Sequence, residues 1–265
     1  MECRDCDIMF IHPQPSQDEI SQMYSKEYFE GDFRCGHAGS YFDEVSRDRI
    51  VDHSLLQRIQ GNTPNGRFLE IGCAGGAFLN AAKQMGYDVY GVEFSEDAAR
   101  FARTHFGLDV VTGDISSARY PNNNFDIVFM GDVIEHLPNP VAALREINRI
   151  ITSGGLLVVE CPSQTNTIFS RLGFRLYGVL GKKVAIQLPP YHLFEYRPRS
   201  ITNLLRRCGF KCTKVTCGMM APREVILRGS AMQRIGKKAF QYPNYVITSV
   251  LGVLGDRMEI FATKV

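Results

Sequence analysis

The chain has 265 residues, 45% of them hydrophobic, and a formal net charge of +2. That length suits one large α/β domain with additions, or two small domains. No apolar run reaches the roughly 18–20 residues of a membrane span, and eight scattered cysteines exclude a disulfide scaffold. The start, Met1-Glu2-Cys3-Arg4, lacks the apolar stretch of a secretory leader, so a cytoplasmic protein is expected. The charge is uneven. Residues 1–162 hold 13 Lys and Arg against 24 Asp and Glu; residues 163–265 hold 17 against 4. The basic third fits an anionic small-molecule substrate, peripheral contact with an anionic membrane, or nucleic acid. It equally fits simple attraction between the two parts of the chain.

Cys3-x-x-Cys6 opens the chain, followed by Ile8-Met9-Phe10-Ile11, Pro13 and Pro15. Ser16, with Glu19 three residues on, predicts a helix start and a helix to about Tyr24. Between residues 41 and 60, Val45, Ile50, Val51, Leu55, Leu56 and Ile59 recur at a helical period. Residues 62–66 break it. Strands and helices then alternate. The pattern predicts strand 67–71, helix 77–85, strand 88–92, a helix capped by Ser95 and running to Phe106, and strands 108–112 and 125–130. A helix over 141–151 follows, ended by Ser153-Gly154-Gly155, and then strand 156–161. This rhythm predicts a parallel sheet with helices on both faces. Residues 162–197 interrupt it, and an insertion of that length between core elements is usually functional. Helix 199–208, strand 211–217, a basic apolar stretch over 230–254 broken at Pro243, and strand 257–263 complete the chain. Four units result: an extension (1–60), a cofactor-binding half (61–161), a lid or substrate insertion (162–197) and a C-terminal part (198–265).

The chemistry is expected at Glu70-Ile71-Gly72-Cys73-Ala74-Gly75-Gly76, a glycine-rich loop between a strand and a helix. Small residues let a ligand approach the backbone, and the helix start offers free N–H groups. Dinucleotides need G-x-G-x-x-G; from Gly72 that requires glycine at 74 and 77, and both are alanine. The pattern acid-x-Gly-x-Gly-x-Gly fits better, with Glu70, Gly72 and Gly76 in place and Ala74 replacing the middle glycine. An acid at 70 suits a cationic ligand bearing an ammonium and a sulfonium. Glu93, with Phe94 beside it, ends the second strand, where a carboxylate can accept both hydroxyls of a ribose. Asp114 can accept from an adenine amino group while Ile115 packs on the ring. The run Phe125-Asp126-Ile127-Val128-Phe129-Met130-Gly131-Asp132-Val133-Ile134-Glu135-His136-Leu137-Pro138 ends the fourth strand.

In this order the segments FLEIGCAGGAFL, VYGVEFS, GDI, FDIVFMGDVIEHLPNP, SGGLLVVECPS and YHLFEYRPRSITNLLRRCGF resemble the class I S-adenosylmethionine-dependent methyltransferases, over roughly residues 66–265. The resemblance implies a Rossmann-like α/β fold. Its sheet has seven mostly parallel strands, with helices on both faces, the last strand antiparallel, a helical N-terminal extension and an inserted lid. It implies that Gly72, Ala74 and Gly76 cradle the methionine part of the cofactor and that Glu93 binds the ribose. Asp114 and Ile115 would meet the adenine, and Gly131 would border the methionine amino end. The opening CRDCDIMFIHPQPSQDEISQMYSKEYF resembles the end of a zinc ribbon that precedes many methyltransferases of bacterial sugar and polysaccharide pathways. A structural zinc needs four ligands, and only Cys3 and Cys6 stand at the proper spacing, so no metal is assigned.

His136 and His192 are the candidate catalytic side chains. His136 follows the fourth strand at the end where parallel sheets bind ligands, and a neutral imidazole suits removal of a hydroxyl proton. The competing reading of each histidine is structural, as a turn cap or a packed hinge residue. Arg171 and Arg175, four apart on a helix, can hold a substrate phosphate or stay solvated. The favoured function is methyl transfer to a hydroxyl of a sugar, nucleotide-sugar or lipid-linked glycan. The alternatives are an RNA or protein methyltransferase and a non-catalytic cofactor-binding module. Nucleic acid is disfavoured because no aromatic-rich RNA-binding segment is present.

Overall fold

The computed structural model describes residues 1–3, 5–16, 19, 51–181, 192–219 and 231–265. The short strand β1 (Met9–Phe10) comes first. The regular alternation follows: α1 (His53–Asn62), β2 (Arg67–Ile71), α2 (Ala77–Gln84), β3 (Asp88–Glu93), α3 (Glu96–Phe106), β4 (Asp109–Thr112), β5 (Phe125–Gly131), α4 (Pro140–Ile150) and β6 (Ile151–Pro162). Then come α5 (Ile168–Val179), β7 (Phe194–Glu195), α6 (Pro198–Arg207), β8 (Phe210–Gly218), α7 (Ala231–Leu251) and β9 (Arg257–Lys264).

Seven strands form one sheet in the order β4-β3-β2-β5-β6-β9-β8. All pairs among the first five are parallel; β9 inserts antiparallel between β6 and β8. This is the Rossmann-like sheet expected from the sequence, with its last strand reversed. The central strands are apolar almost end to end, as burial on both faces requires. Leu55, Leu56 and Ile59 of α1, Leu79 and Ala82 of α2, and Ala99 and Ala102 of α3 cover one face. Leu144, Ile147 and Ile150 of α4, with Ile201 and Leu205 of α6, cover the other. Local chemistry sets the helix ends. Ser95 accepts from the Ala98 N–H at the start of α3, and Gly107, at φ 60°, closes it. Asn139 accepts from the Ala142 N–H ahead of Pro140 in α4. Such caps contribute about 1 kcal/mol each. No helix among the described residues is long and apolar enough to cross a membrane.

Three elements depart from the sequence reading. β6 begins at Ile151, not Leu156: Phe125 pairs with Ile151 and Ile127 with Leu156, so the intervening residues bulge out. Gly154, at φ 74°, lets the strand bend there instead of terminating the structure. α7 runs through Pro243 instead of breaking. Buried Asn244 accepts from the Ile168 N–H at 3.0 Å, and Thr248 donates to the Leu254 carbonyl at 3.2 Å. These tertiary ties hold the helix despite the hydrogen bond that proline removes. Finally, β1 pairs antiparallel with β7, Met9 opposite Glu195 and Phe10 opposite Phe194, which binds the N-terminal segment to the end of the 162–197 insertion. Ser16 and Glu19 form the expected reciprocal cap. The rest of the helix predicted to Tyr24, and the predicted helix over 41–50, lie outside the described residues.

Candidate active site

β2, β3 and β5 end side by side, and the loops after them enclose a cavity of about 620 Å³. The loop after β2 folds back on β3: the N–H groups of Gly72 and Cys73 both donate to the Val92 carbonyl, at 2.7 and 3.2 Å. Gly72 sits at φ 74°, and a Cβ there would collide with Val133 Cγ2. Ala74, a non-glycine residue at φ 47°, occupies the left-handed region that costs about 1 kcal/mol or more. Glu93 compensates. Its Oε2 accepts from the Ala74 N–H and its Oε1 from the Ser95 N–H, both at 2.8 Å. The acid read as a ribose ligand thus also fixes the loop.

Electrostatics select the ligand. Asp52, Glu70, Glu93, Asp114, Asp132 and Glu160 line the cavity, and no Lys or Arg among the described residues does. A pyrophosphate would find no cationic partner there, whereas a cation would find carboxyl groups to hold it. Glu70 is buried; the Leu79 N–H in the first turn of α2 donates to its carboxylate, and Oε2 has no partner. Burial, followed by the neighbouring Glu93, pushes its carboxyl up to about 8. Burial likewise lifts Glu160 to about 7, with Arg257 opposing. An orphaned buried acid and a glycine cradle both fit a ligand with an ammonium and a sulfonium.

Of the residues singled out in the sequence, Glu70, Gly72, Ala74, Glu93, Phe94, Asp114, Ile115, Gly131 and His136 all line this cavity. Gly76 does not. It caps α2 at φ 82°, and a Cβ there would lie 2.7 Å from Leu108 Cδ1 and 2.9 Å from Ala102 Cβ, so its role is close packing against α3. One oxygen of Asp114 accepts from the Ser117 N–H at 2.7 Å. His192 lies just behind His136, ring centroids 4.9 Å apart and nearly perpendicular. Burial, then the neighbouring His136, holds His192 down to about 4, so it is neutral at physiological pH. Arg171 is tied to Asn166 Oδ1 at 2.7 Å, and neither Arg171 nor Arg175 reaches the cavity. The sequence reading missed Asp132, which stands at φ 52° and accepts both 2.9 Å bonds from Arg257 Nη2. It also missed Glu160 and Phe78. The pattern DVIEH after β5 was the available signal for Asp132; nothing local marked Glu160.

A family model described as a methyltransferase domain matches residues 45–215. The chain belongs to the S-adenosylmethionine-dependent methyltransferase family. Among curated relatives, a ubiquinone biosynthesis O-methyltransferase of Thiobacillus denitrificans is 24% identical over 161 residues, 57% of this chain and 66% of that one. The Pseudomonas aeruginosa protein of the same name is 27% identical over 138 residues, covering 49% and 56%. The methyltransferase domain thus spans just under two thirds, or less, of these relatives. Among solved structures, a Thermotoga maritima S-adenosylmethionine-dependent methyltransferase, described as a possible histamine N-methyltransferase, shares the fold. Its TM-score is 0.56 at 23% identity, over 85% of this chain and 95% of that one. One from Archaeoglobus fulgidus gives 0.55 at 22%, over 84% and 99%.

Proposed function

We propose that the protein transfers a methyl group to a hydroxyl of a small acceptor of the sugar, nucleotide-sugar or lipid-linked glycan class, in the cytosol. The observation behind this reading is the acid-lined cavity at the carboxyl ends of β2, β3 and β5, with His136 on its wall. The names of the O-methyltransferase relatives support oxygen as the methylated atom. When bound, S-adenosylmethionine supplies a methyl already activated by its sulfonium. Gly72 and Ala74 form the wall for its methionine part, with Gly76 fixing the loop. Glu70 and Gly131 face its amino end, Glu93 its ribose, and Asp114, Ile115 and Phe94 its adenine. The protein then has to align the acceptor hydroxyl and remove its proton. His136 on the cavity wall, with His192 behind it, is the candidate for that task.

The cavity's acidity means that an anionic portion of the acceptor stays outside it. Exposed Arg175 on α5, within the 162–197 insertion, supports a site there. α5 and α7 also present an apolar ridge: Leu176 is 60% exposed and Val250 77%. That ridge supports peripheral contact with a membrane and hence a lipid-linked acceptor. The first ten residues resemble the end of a zinc ribbon, and β1 pairs this segment with β7.

Calorimetry should show one-to-one binding of S-adenosylmethionine by the wild type and none by Glu93→Ala. Wild-type-like binding by that variant would overturn the site. Labelled methyl should then pass to small hydroxylated acceptors. Transfer to RNA or protein instead would overturn the acceptor class, and a wild type that binds no cofactor would favour a non-catalytic module.

A further inference from the structure

Buried polar atoms without hydrogen-bond partners gather at one place beside the cavity. Glu135, in the 3-10 turn Ile134–His136, is 1% exposed, and neither carboxylate oxygen has a hydrogen-bond partner from another residue. Nδ1 of His192, one oxygen of Glu195 and the Tyr196 hydroxyl are also buried and unpartnered. Native proteins leave few such groups, and each demands an explanation. Replacing water around a carboxylate with nothing is among the more expensive choices a fold can make.

The geometry supplies one. Glu135 Oε1 lies 3.7 Å from His136 Nε2 and 4.0 Å from His192 Nε2. One ligating atom from each of the three residues falls within 4.8 Å of the other two, the one such trio among the described residues. A point between atoms so spaced lies roughly 2.0–2.5 Å from each, the range of metal–ligand bonds. The scaffold around the trio is held from two sides. The Leu193 N–H donates to the Glu135 carbonyl at 2.8 Å, and the Ile11 N–H donates to the Leu193 carbonyl at 3.1 Å. The β1–β7 pairing continues that tie, so a segment 57 positions further along the chain is fastened over the turn.

We propose that Glu135, His136 and His192 bind a divalent first-row transition cation at the acceptor end of the cofactor cavity. Two imidazoles and one carboxylate favour zinc, manganese, iron or cobalt over calcium and magnesium, which prefer oxygen ligands throughout. His136 is both a ligand and part of the cavity wall, so the cation would lie beside the cavity. The purpose of the site rests on the methyl-transfer reading; its existence does not. A cation there lowers the pKa of the acceptor hydroxyl. The proton passes to solvent, the new O–C bond forms as the S–C bond of the cofactor breaks, and S-adenosylhomocysteine leaves. The two imidazoles then act as ligands, not as bases, which amends the role the sequence assigned them.

The test uses the full chain after treatment with EDTA and follows loss of the free Mn2+ resonance signal on titration. One Mn2+ per chain is expected, displaced by Zn2+. Glu135→Gln and His192→Gln should each weaken binding by about 100-fold or more. Circular dichroism confirms that each variant is folded; if Glu135→Gln is not, His192→Gln decides alone. No Mn2+ or Zn2+ binding by the wild type, or wild-type affinity in a folded variant, overturns the proposal. Cofactor binding is measured on the same samples without metal. Its loss in the wild type would sink the methyl-transfer reading and leave the metal result standing.

Discussion

Replacing Glu70 with Gln isolates one buried charge and tests the electrostatic argument directly. In the cofactor-free protein its carboxyl is lifted from 4.5 to about 8, first by burial and then by Glu93. The unfolded chain loses this proton near pH 4.5, whereas the folded one holds it until about pH 8. Between those values the native state binds more protons, so stability falls as pH rises and the loss levels off above about 8. At about 1.4 kcal/mol per pH step, the full effect reaches about 5 kcal/mol. Glutamine keeps the shape and can still accept from the Leu79 N–H, but it cannot ionise. Urea unfolding without cofactor should therefore give matching stabilities at pH 4.5. At pH 8.5 Glu70→Gln should be the more stable protein by about 2–5 kcal/mol. Cofactor binding should reverse the advantage, because a cation pulls the Glu70 carboxyl back toward ionisation. Calorimetry at pH 7 in two buffers of different ionisation enthalpy should show the wild type releasing about 0.9 proton on binding. Glu70→Gln should release almost none and bind more weakly. Parallel pH–stability curves with equal proton release would refute the reasoning.

The two glycines of the loop should separate into different roles. Gly72→Ala meets Val133 from a left-handed backbone position and should abolish cofactor binding along with a stability loss of about 1–3 kcal/mol. Gly76→Ala strikes Leu108 and Ala102 away from the cavity, so thermal melts should show a similar loss while binding at low temperature survives. For the apolar ridge, Leu176→Ser with Val250→Ser should reduce flotation with anionic phospholipid vesicles by about tenfold or more. An unchanged bound fraction would remove the membrane from the account.

Much of this fold was legible because its central strands and helices announce themselves locally. The runs predicted at 67–71, 88–92 and 125–130 end within a residue of the observed strands, since parallel strands buried on both faces must be apolar. The cavity wall was legible for the same reason: Gly72, Glu93, Asp114 and Gly131 each sit at or just past a strand end. Tertiary effects were not legible. Nothing near Pro243 reveals that Asn244 anchors α7 to α5. Two-residue strands such as β1 and β7 have no periodicity to read. Glu135 was not singled out, because its nearness to His192 depends on a distant part of the chain. Gly76 lines up with the motif, yet its job is packing.

β9 has a consequence for the order in which the molecule is built. Among the described residues it is the sole neighbour of β8 within the sheet and the only link between β8 and β6. During synthesis, β2 to β6 can pair as they leave the ribosome. β8 emerges with no partner to join, and one edge of β6 waits open. Both strands expose unpaired backbone until residues 257–264 arrive between them. The nascent chain therefore passes through an interval with two adhesive edges. Demand for a chaperone should peak there, and a ribosome stalled within α7 should leave a product prone to aggregate despite an intact cofactor half.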